Sequence, residues 1–284
     1  MSMSAEFQYR LPRRIGGWRP GSHASVRFGA GQDFVTHMSL FEAPDPRRLD
    51  LRASLRNVRE EWLVRANRQR SALAVHAIVD VSASMDFGAH RNKRLVASDF
   101  VESMGNSAFR VGDAVGMLAF DAVERTDLFV PCRLGRGAGS AMAELLRAAN
   151  GVPGSGNGLV QAALHLTGRP ELVFVVSDFH WPLQSLDEAL ELLASSCVVP
   201  VVVLDPTELR PPGTDGPVLL RDAESGATRM IWLRPSLRAK WAERVANRRR
   251  ELEEVFAKHR CRPFYLSGAF DHEAMSRYFI EETA

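Results

Sequence analysis

Several short stretches of this chain are apolar almost without interruption. Leu73 to Val81 (LAVHAIVDV), Ala114 to Phe120, Glu171 to Ser177 (ELVFVVS) and Cys197 to Leu204 each run seven to nine residues with hardly a polar position. A strand apolar at every position is buried on both faces, which is the condition of a parallel sheet covered by helices. Asp127 to Cys132 reads as a further strand. Helical stretches separate these runs: residues 91–109, with Val96, Phe100 and Met104 on one stripe, then Ser140 to Asn150, Gly158 to Thr167 and Ser185 to Ser195. Strands alternating with helices predict an α/β fold with a doubly wound, mostly parallel sheet.

The rhythm breaks after Asp205. Val218 to Arg221 and Thr228 to Leu233 flank Glu224-Ser225-Gly226, which predicts a β-hairpin insertion at about 217–233. Pro235 then opens a long helix with Leu237, Trp241, Val245, Leu252 and Val255 on one face. Pro263 to Ser267 reads as a sixth strand, and Asp271 to Glu281 as a last helix capped by Asp271. The α/β domain is placed at 72–284. Residues 1–71 are read as an Arg-rich N-terminal arm packed on it, irregular over 1–36, with a short helical stretch from Arg47 to Asn57. Glu61 to Val64 and Arg65 fit either a strand or a helix end.

A chain of 284 residues buries enough surface to fold without disulfides. Its three cysteines, Cys132, Cys197 and Cys261, are far apart, which argues against a disulfide framework and a zinc knuckle. The net charge of +2 is too small for a nucleic-acid binder, although residues 1–70 hold thirteen arginines against seven acids. Lysine occurs only at 93, 240 and 258. The N-terminus has no apolar stretch of the signal-peptide kind, and no apolar run spans a membrane, so a reducing cytoplasm is the expected location.

The segment that carries chemistry is Asp80-Val81-Ser82-Ala83-Ser84-Met85, at the end of a buried strand. Open α/β sheets bind ligands outside the carboxyl ends of their strands. Asp80, Ser82 and Ser84 bring one carboxylate and two hydroxyls to such a place, a donor set suited to a hard cation such as Mg²⁺. Asp178, after the strand ending in Ser177, is a second carboxylate in the same position, and the loop Gly154-Ser155-Gly156-Asn157-Gly158 offers another oxygen. The bland reading is that Asp and Ser here only cap a helix. Gly135 to Ser140 lacks the final glycine and the ribose-binding acid of a dinucleotide loop, and Gly154 to Gly158 lacks the Lys-Ser/Thr of a P-loop. His180 is close enough in sequence to approach an ion, though a solvent-facing or core-satisfied histidine is the commoner case and the favoured reading. Arg248-Arg249-Arg250 reads as a solvated helix face, with Arg248 near the apolar stripe and available to an acid at an interface.

Asp80, Ser82, Ser84 and Asp178 resemble the metal-ion-dependent adhesion site of the von Willebrand factor A domain, whose pattern is D-x-S-x-S, a threonine in a later loop, and an aspartate after the fourth strand. The threonine position falls on Asn157, with Ser155 as a substitute. Pro44 to Asp50, Glu61 to Arg65, Gly112 to Gly116, Ser177-Asp178-Phe179, Asp205 to Glu208 and the turn from Asp222 to Met230 resemble the bacterial domain-of-unknown-function fifty-eight family, over roughly Gly21 to the end. The resemblance implies a von Willebrand A-like domain and Mg²⁺ or Mn²⁺ held by Asp80, Ser82, Ser84, Asn157 and Asp178. It also implies a non-enzymatic interaction module working with a MoxR-type AAA+ ATPase in protein maturation or metal insertion, through an acidic side chain of that ATPase or of a client. The alternative from the residues themselves is a metal-dependent hydrolase using Asp80 and Asp178. Against it, the motif loops hold no general base and no Lys or Arg clamp.

Overall fold

The computed structural model describes residues 6–11, 20–29, 33–88, 91–153, 156–169, 171–210, 213–221 and 227–283. The chain forms two compact units, Leu11–Leu73, and Ala74–Ala284 together with Met1–Arg10.

The smaller unit corrects the reading of an irregular arm. Strands β1 (Pro20–Gly29), β2 (Asp33–Ser39) and β3 (Leu63–Ser71) make an antiparallel sheet in the order β1-β3-β2. Register shifts interrupt both pairings, between Ala24 and Phe28 and between Phe34 and Thr36. Each shift resets the two-residue alternation by which such strands are recognised, so the sequence shows no continuous period. Helix α1 (Leu51–Arg56) is capped by Asp50, which accepts from Ala53 N at 3.0 Å.

The larger unit is built on a six-stranded sheet in the order β11-β8-β7-β4-β5-β6. Its strands are β4 (Ala74–Asp80), β5 (Ala114–Phe120), β6 (Val130–Arg133), β7 (Leu172–Ser177), β8 (Cys197–Leu204) and β11 (Phe264–Ser267). All pairings are parallel except β5 with the edge strand β6. Helices α2 (Lys93–Val111) and α3 (Ala138–Ala148) pack against each other where Gly105 and Gly139 meet, backbone to backbone. Phe7, Phe100, Phe174 and Phe279 form an aromatic cluster, joining the N-terminal segment to α2, β7 and α8 (His272–Thr283). A second core gathers Ile78, Leu118, Val173, Val175 and Val202 from the sheet. Onto it pack α4 (Asn157–Leu164), α5 (Gln184–Leu192) and the C-terminal half of α7 (Pro235–Lys258), through Leu159, Leu186 and Phe256. On β7, Phe174 belongs to the first cluster and its neighbours Val173 and Val175 to the second, so the strand is buried on both sides.

After β8 come the one-turn helix α6 (Pro206–Leu209) and the antiparallel hairpin β9 (Gly216–Arg221) and β10 (Thr228–Leu233). The hairpin's turn, Glu224-Ser225-Gly226, lies outside the described residues, as does Ser155. Chain order reverses between β4 and β7: the path leaves β4 toward β5 and leaves β7 toward β8. The crevice of a doubly wound sheet lies at the carboxyl ends of such a strand pair.

Candidate functional site

Register brings the first two predicted carboxylates to the crevice. Val79 pairs with Val176, so Asp80 falls beside Ser177 and just before Asp178. Ser177 Oγ donates to Asp80 Oδ2 at 2.6 Å, and Trp181 Nε1 donates to the same oxygen at 2.9 Å. Asp80 Oδ1 accepts from Ser82 N at 2.9 Å. Beyond it a 3-10 turn, Ala83–Asp86, starts with Ser82 as cap and folds Ser84 back, leaving the two hydroxyl oxygens 3.2 Å apart. Asp80, Ser82 and Ser84 are all buried.

Asp178 is fully buried as well, and both its oxygens are engaged. Oδ1 accepts from His180 N at 3.2 Å, and Oδ2 accepts from Lys93 Nζ at 2.5 Å. His180 Nδ1 stands 3.3 Å from Oδ2 with its ring partly in solvent. The loop is tight: Phe179 takes a φ of 52° and buries its ring, and its amide donates to Ser177 Oγ at 2.8 Å. Arg248 of α7 holds that loop by donating to the carbonyls of Phe179, at 2.5 Å, and Trp181. Its guanidinium therefore serves backbone oxygens, besides a 3.3 Å contact with Glu251 on its own helix, instead of an acid at an interface.

Asn157 stands apart from this network. It is exposed at the first turn of α4, and its amide oxygen accepts from Ser185 Oγ at 3.2 Å. Its neighbour Gly156 lies under Trp181, where a Cβ would come within 2.5 Å of the indole ring. Thus the structure joins Asp80, Ser82, Ser84 and Asp178 through one cluster, and connects the Asn157 loop to it by packing on Trp181.

Two residues of the cluster escaped the motif reading. Lys93, the first residue of α2, sends a buried ammonium to Asp178 and, at 2.8 Å, to Glu208 Oε1. Glu208 is held by a capping box with Asp205, so the segment Asp205-Pro206-Thr207-Glu208 aims a third carboxylate into the site. The signals were present: a lysine in a chain with three of them among 36 basic residues, and a D-P-x-E box after a buried strand.

The electrostatics follow from burial and count. Burial first, and then the neighbouring Asp178 carboxylate, push Asp80 up to about 6. Burial works on Asp178 in the same direction, but His180 and Lys93 beside it hold its carboxyl well below the usual range. Lys93 is raised by Asp178 and Glu208 in spite of its burial. Lys93 thus bridges Asp178 and Glu208, while Asp80 is met by the neutral donors Ser82 N, Ser177 Oγ and Trp181 Nε1. Among the described residues no three of His, Cys, Asp and Glu are grouped as ligands of one ion. A cation here would rely on hydroxyls as well as carboxylates. Ser82 and Ser84 fit that role, since their 3.2 Å spacing is close to the ~3 Å between adjacent corners of an octahedron with ~2.1 Å metal–oxygen bonds. A cavity of about 730 Å³ opens beside Asp178, His180 and Glu208, between the hairpin and α7, lined by Leu204, Ile231, Trp241 and Val245.

Fold and site define a class: a doubly wound α/β protein with a buried carboxylate–hydroxyl cluster at the switch point of its sheet. Residues 44–251 match the family described as Protein of unknown function DUF58, and the chain belongs to that family. It is similar to the uncharacterized protein Rv1480 of Mycobacterium tuberculosis, with 26% identity over 250 residues covering 85% of this chain and 76% of that one. The uncharacterized protein Mb1516 of Mycobacterium bovis matches to the same extent. Among solved structures, the conserved hypothetical protein BatB of Bacteroides thetaiotaomicron aligns with a TM-score of 0.44 and 16% identity, over 74% of this chain and 98% of that one. Among the described residues no helix is long and apolar enough to cross a membrane.

Proposed function

We propose that the chain is a non-enzymatic interaction module of the von Willebrand A kind. In this reading Asp80, Ser82, Ser84 and Asp178 hold a Mg²⁺ or Mn²⁺ ion, and an acidic side chain of a partner completes its shell. The observation that carries the reading is the cluster itself: two buried carboxylates, Asp80 and Asp178, stand at the carboxyl ends of neighbouring strands, and the hydroxyls of Ser82 and Ser84 lie 3.2 Å apart beside Asp80. Two buried carboxylates close together are costly, and a divalent ion between them offsets their repulsion. The donor set is all oxygen, which favours a hard cation over zinc. Bound there, the ion supplies an exchangeable position for a carboxylate ligand. The apolar cavity beside Asp178 offers room for the residues flanking a partner's acid. We place a MoxR-type AAA+ ATPase, or its client, in the partner's role.

Calorimetric titration with MgCl₂ and MnCl₂ tests the ion. The full chain is expected to bind, and Ser82→Ala with Ser84→Ala to lose at least ~10-fold in affinity, since two ligands are removed. Pull-down with the cognate ATPase, in Mg²⁺ and in EDTA, tests the partner. Equal capture in both, unchanged by the double substitution, would overturn the metal-bridged reading.

A further inference from the structure

Lys93 stands where the charge of a metal site would be compensated, and it does so from inside the protein. Its side chain is 2% exposed. The helix start that carries it is well fixed: Asn92 caps α2 by accepting from Leu95 N at 2.9 Å, and Lys93 N donates to Phe87 O at 2.9 Å. The stem then delivers Nζ to Asp178 Oδ2 and Glu208 Oε1. The choice of lysine is notable in a chain with only three among 36 basic residues. A guanidinium is a rigid planar fork, whereas an ammonium is a compact point charge on a flexible stem that can change partners. An ammonium and a divalent ion cannot share Asp178 Oδ2, because like charges close together in a water-poor pocket repel strongly. The other oxygen of Asp178 accepts from His180 N at 3.2 Å.

We propose that Lys93 is a tethered competitor for the ion, holding Asp178 while the site is empty and retreating to Glu208 alone when a divalent cation enters. The proposal rests on the reading of Asp80, Ser82, Ser84 and Asp178 as an ion site. Glu208 suits the role of resting place. It is 21% exposed at the rim of the crevice, beside the cavity, and its capping box keeps it in reach of Lys93 however Asp178 is engaged. Lys93 then sets the affinity of the site, and Glu208 tunes it from outside the ligand set.

A double-mutant cycle tests this, with calorimetric titration of MgCl₂ into the full chain and thermal unfolding with and without Mg²⁺. Lys93→Met and Lys93→Gln are expected to bind Mg²⁺ roughly tenfold more tightly, or better. Their melting temperatures should rise with Mg²⁺ by more than that of the unsubstituted chain. Glu208→Gln should weaken binding by a similar factor when Lys93 is present, and change nothing in either Lys93 variant. Affinities that are equal with and without Lys93 would overturn the competition and leave the ion site standing. So would a Glu208→Gln loss that persists without Lys93, since Glu208 would then act on the ion directly. Absence of Mg²⁺ binding in every chain would instead remove the ion site, and this proposal with it. Lys93→Met removes the ammonium from buried Asp178 and leaves it only His180; should it fold only with Mg²⁺ present, that supports the exchange. Lys93→Gln keeps a hydrogen-bond donor toward Asp178 and carries the cycle in either case.

Discussion

Asp80 spends both oxygens on donors of its own chain, Ser82 N, Ser177 Oγ and Trp181 Nε1, and still sits near a second carboxylate. Its pKa of about 6 records that burial and Asp178 outweigh three hydrogen bonds. His76, four residues earlier on the same strand, is the opposite case. Burial alone would lower the imidazole, but Cys132 and Glu171 beside it hold it up, at about 9 against 6.5. Its Nδ1 is 2.9 Å from Glu171 Oε2, off the line of a hydrogen bond. A histidine raised on folding contributes stability that is complete below its unfolded pKa and is lost as pH rises through the folded one. Stability should therefore decline between about pH 6.5 and 9. In His76→Gln that slope should flatten; urea midpoints measured across the range would show it. Neither value was legible in the sequence, since the groups that set them come from other strands.

At the scale of elements, the apolar runs were sufficient to locate the four buried strands β4, β5, β7 and β8, whereas the edge strand β6 starts at Val130, after a 3-10 turn over Thr126–Leu128, instead of at Asp127. β5 and β8 have the expected limits, and β4 and β7 differ from them by a residue or so. That succeeded because a strand buried on both faces must be apolar at nearly every position. Helix α7 begins at Pro235 as expected, but of its predicted stripe only Leu252 is buried, together with Phe256, which was not in the stripe. Trp241 and Val245 line the cavity under the hairpin instead. Periodicity marks an apolar face without saying what covers it. The contact of α2 with α3 was equally hidden. A Cβ on Gly105 would stand 2.3 Å from the Cα of Gly139, so the helices meet where neither has a side chain. Gly105→Ala should improve local helix propensity yet lower stability by ~1–3 kcal/mol through overpacking, read from urea unfolding. A gain in stability would mean that the helices separate at little cost.

For the whole molecule, the first residues matter more than their composition suggests. Phe7 is 1% exposed and stacks on Phe100 and Phe279, while its amide donates to Ser107 Oγ at 2.8 Å. Tyr9 OH donates to Asp113 Oδ2 at 2.5 Å. A segment read as part of an irregular arm thus belongs to the core of the α/β unit. Phe7→Ala should cost ~3–5 kcal/mol, as for other buried aromatic truncations. A loss under ~0.5 kcal/mol, within the ordinary range of surface substitutions, would show that the segment is dispensable.

By itself, the order of apolar runs determined that β4 and β7 are strands of a mostly parallel sheet, and the D-x-S-x-S loop and Asp178 put carboxylates and hydroxyls at the carboxyl ends of those two strands. These are local properties, carried by adjacent residues and their period. Tertiary structure decided what those groups face. Lys93 lies 85 positions from Asp178 and 115 from Glu208, and Trp181 lies 101 from Asp80. No spacing rule relates residues so far apart. Only the pairing of β4 with β7, the seating of α2 and the cap of α6 bring them within hydrogen-bond reach, and with that contact the charge of the site is set.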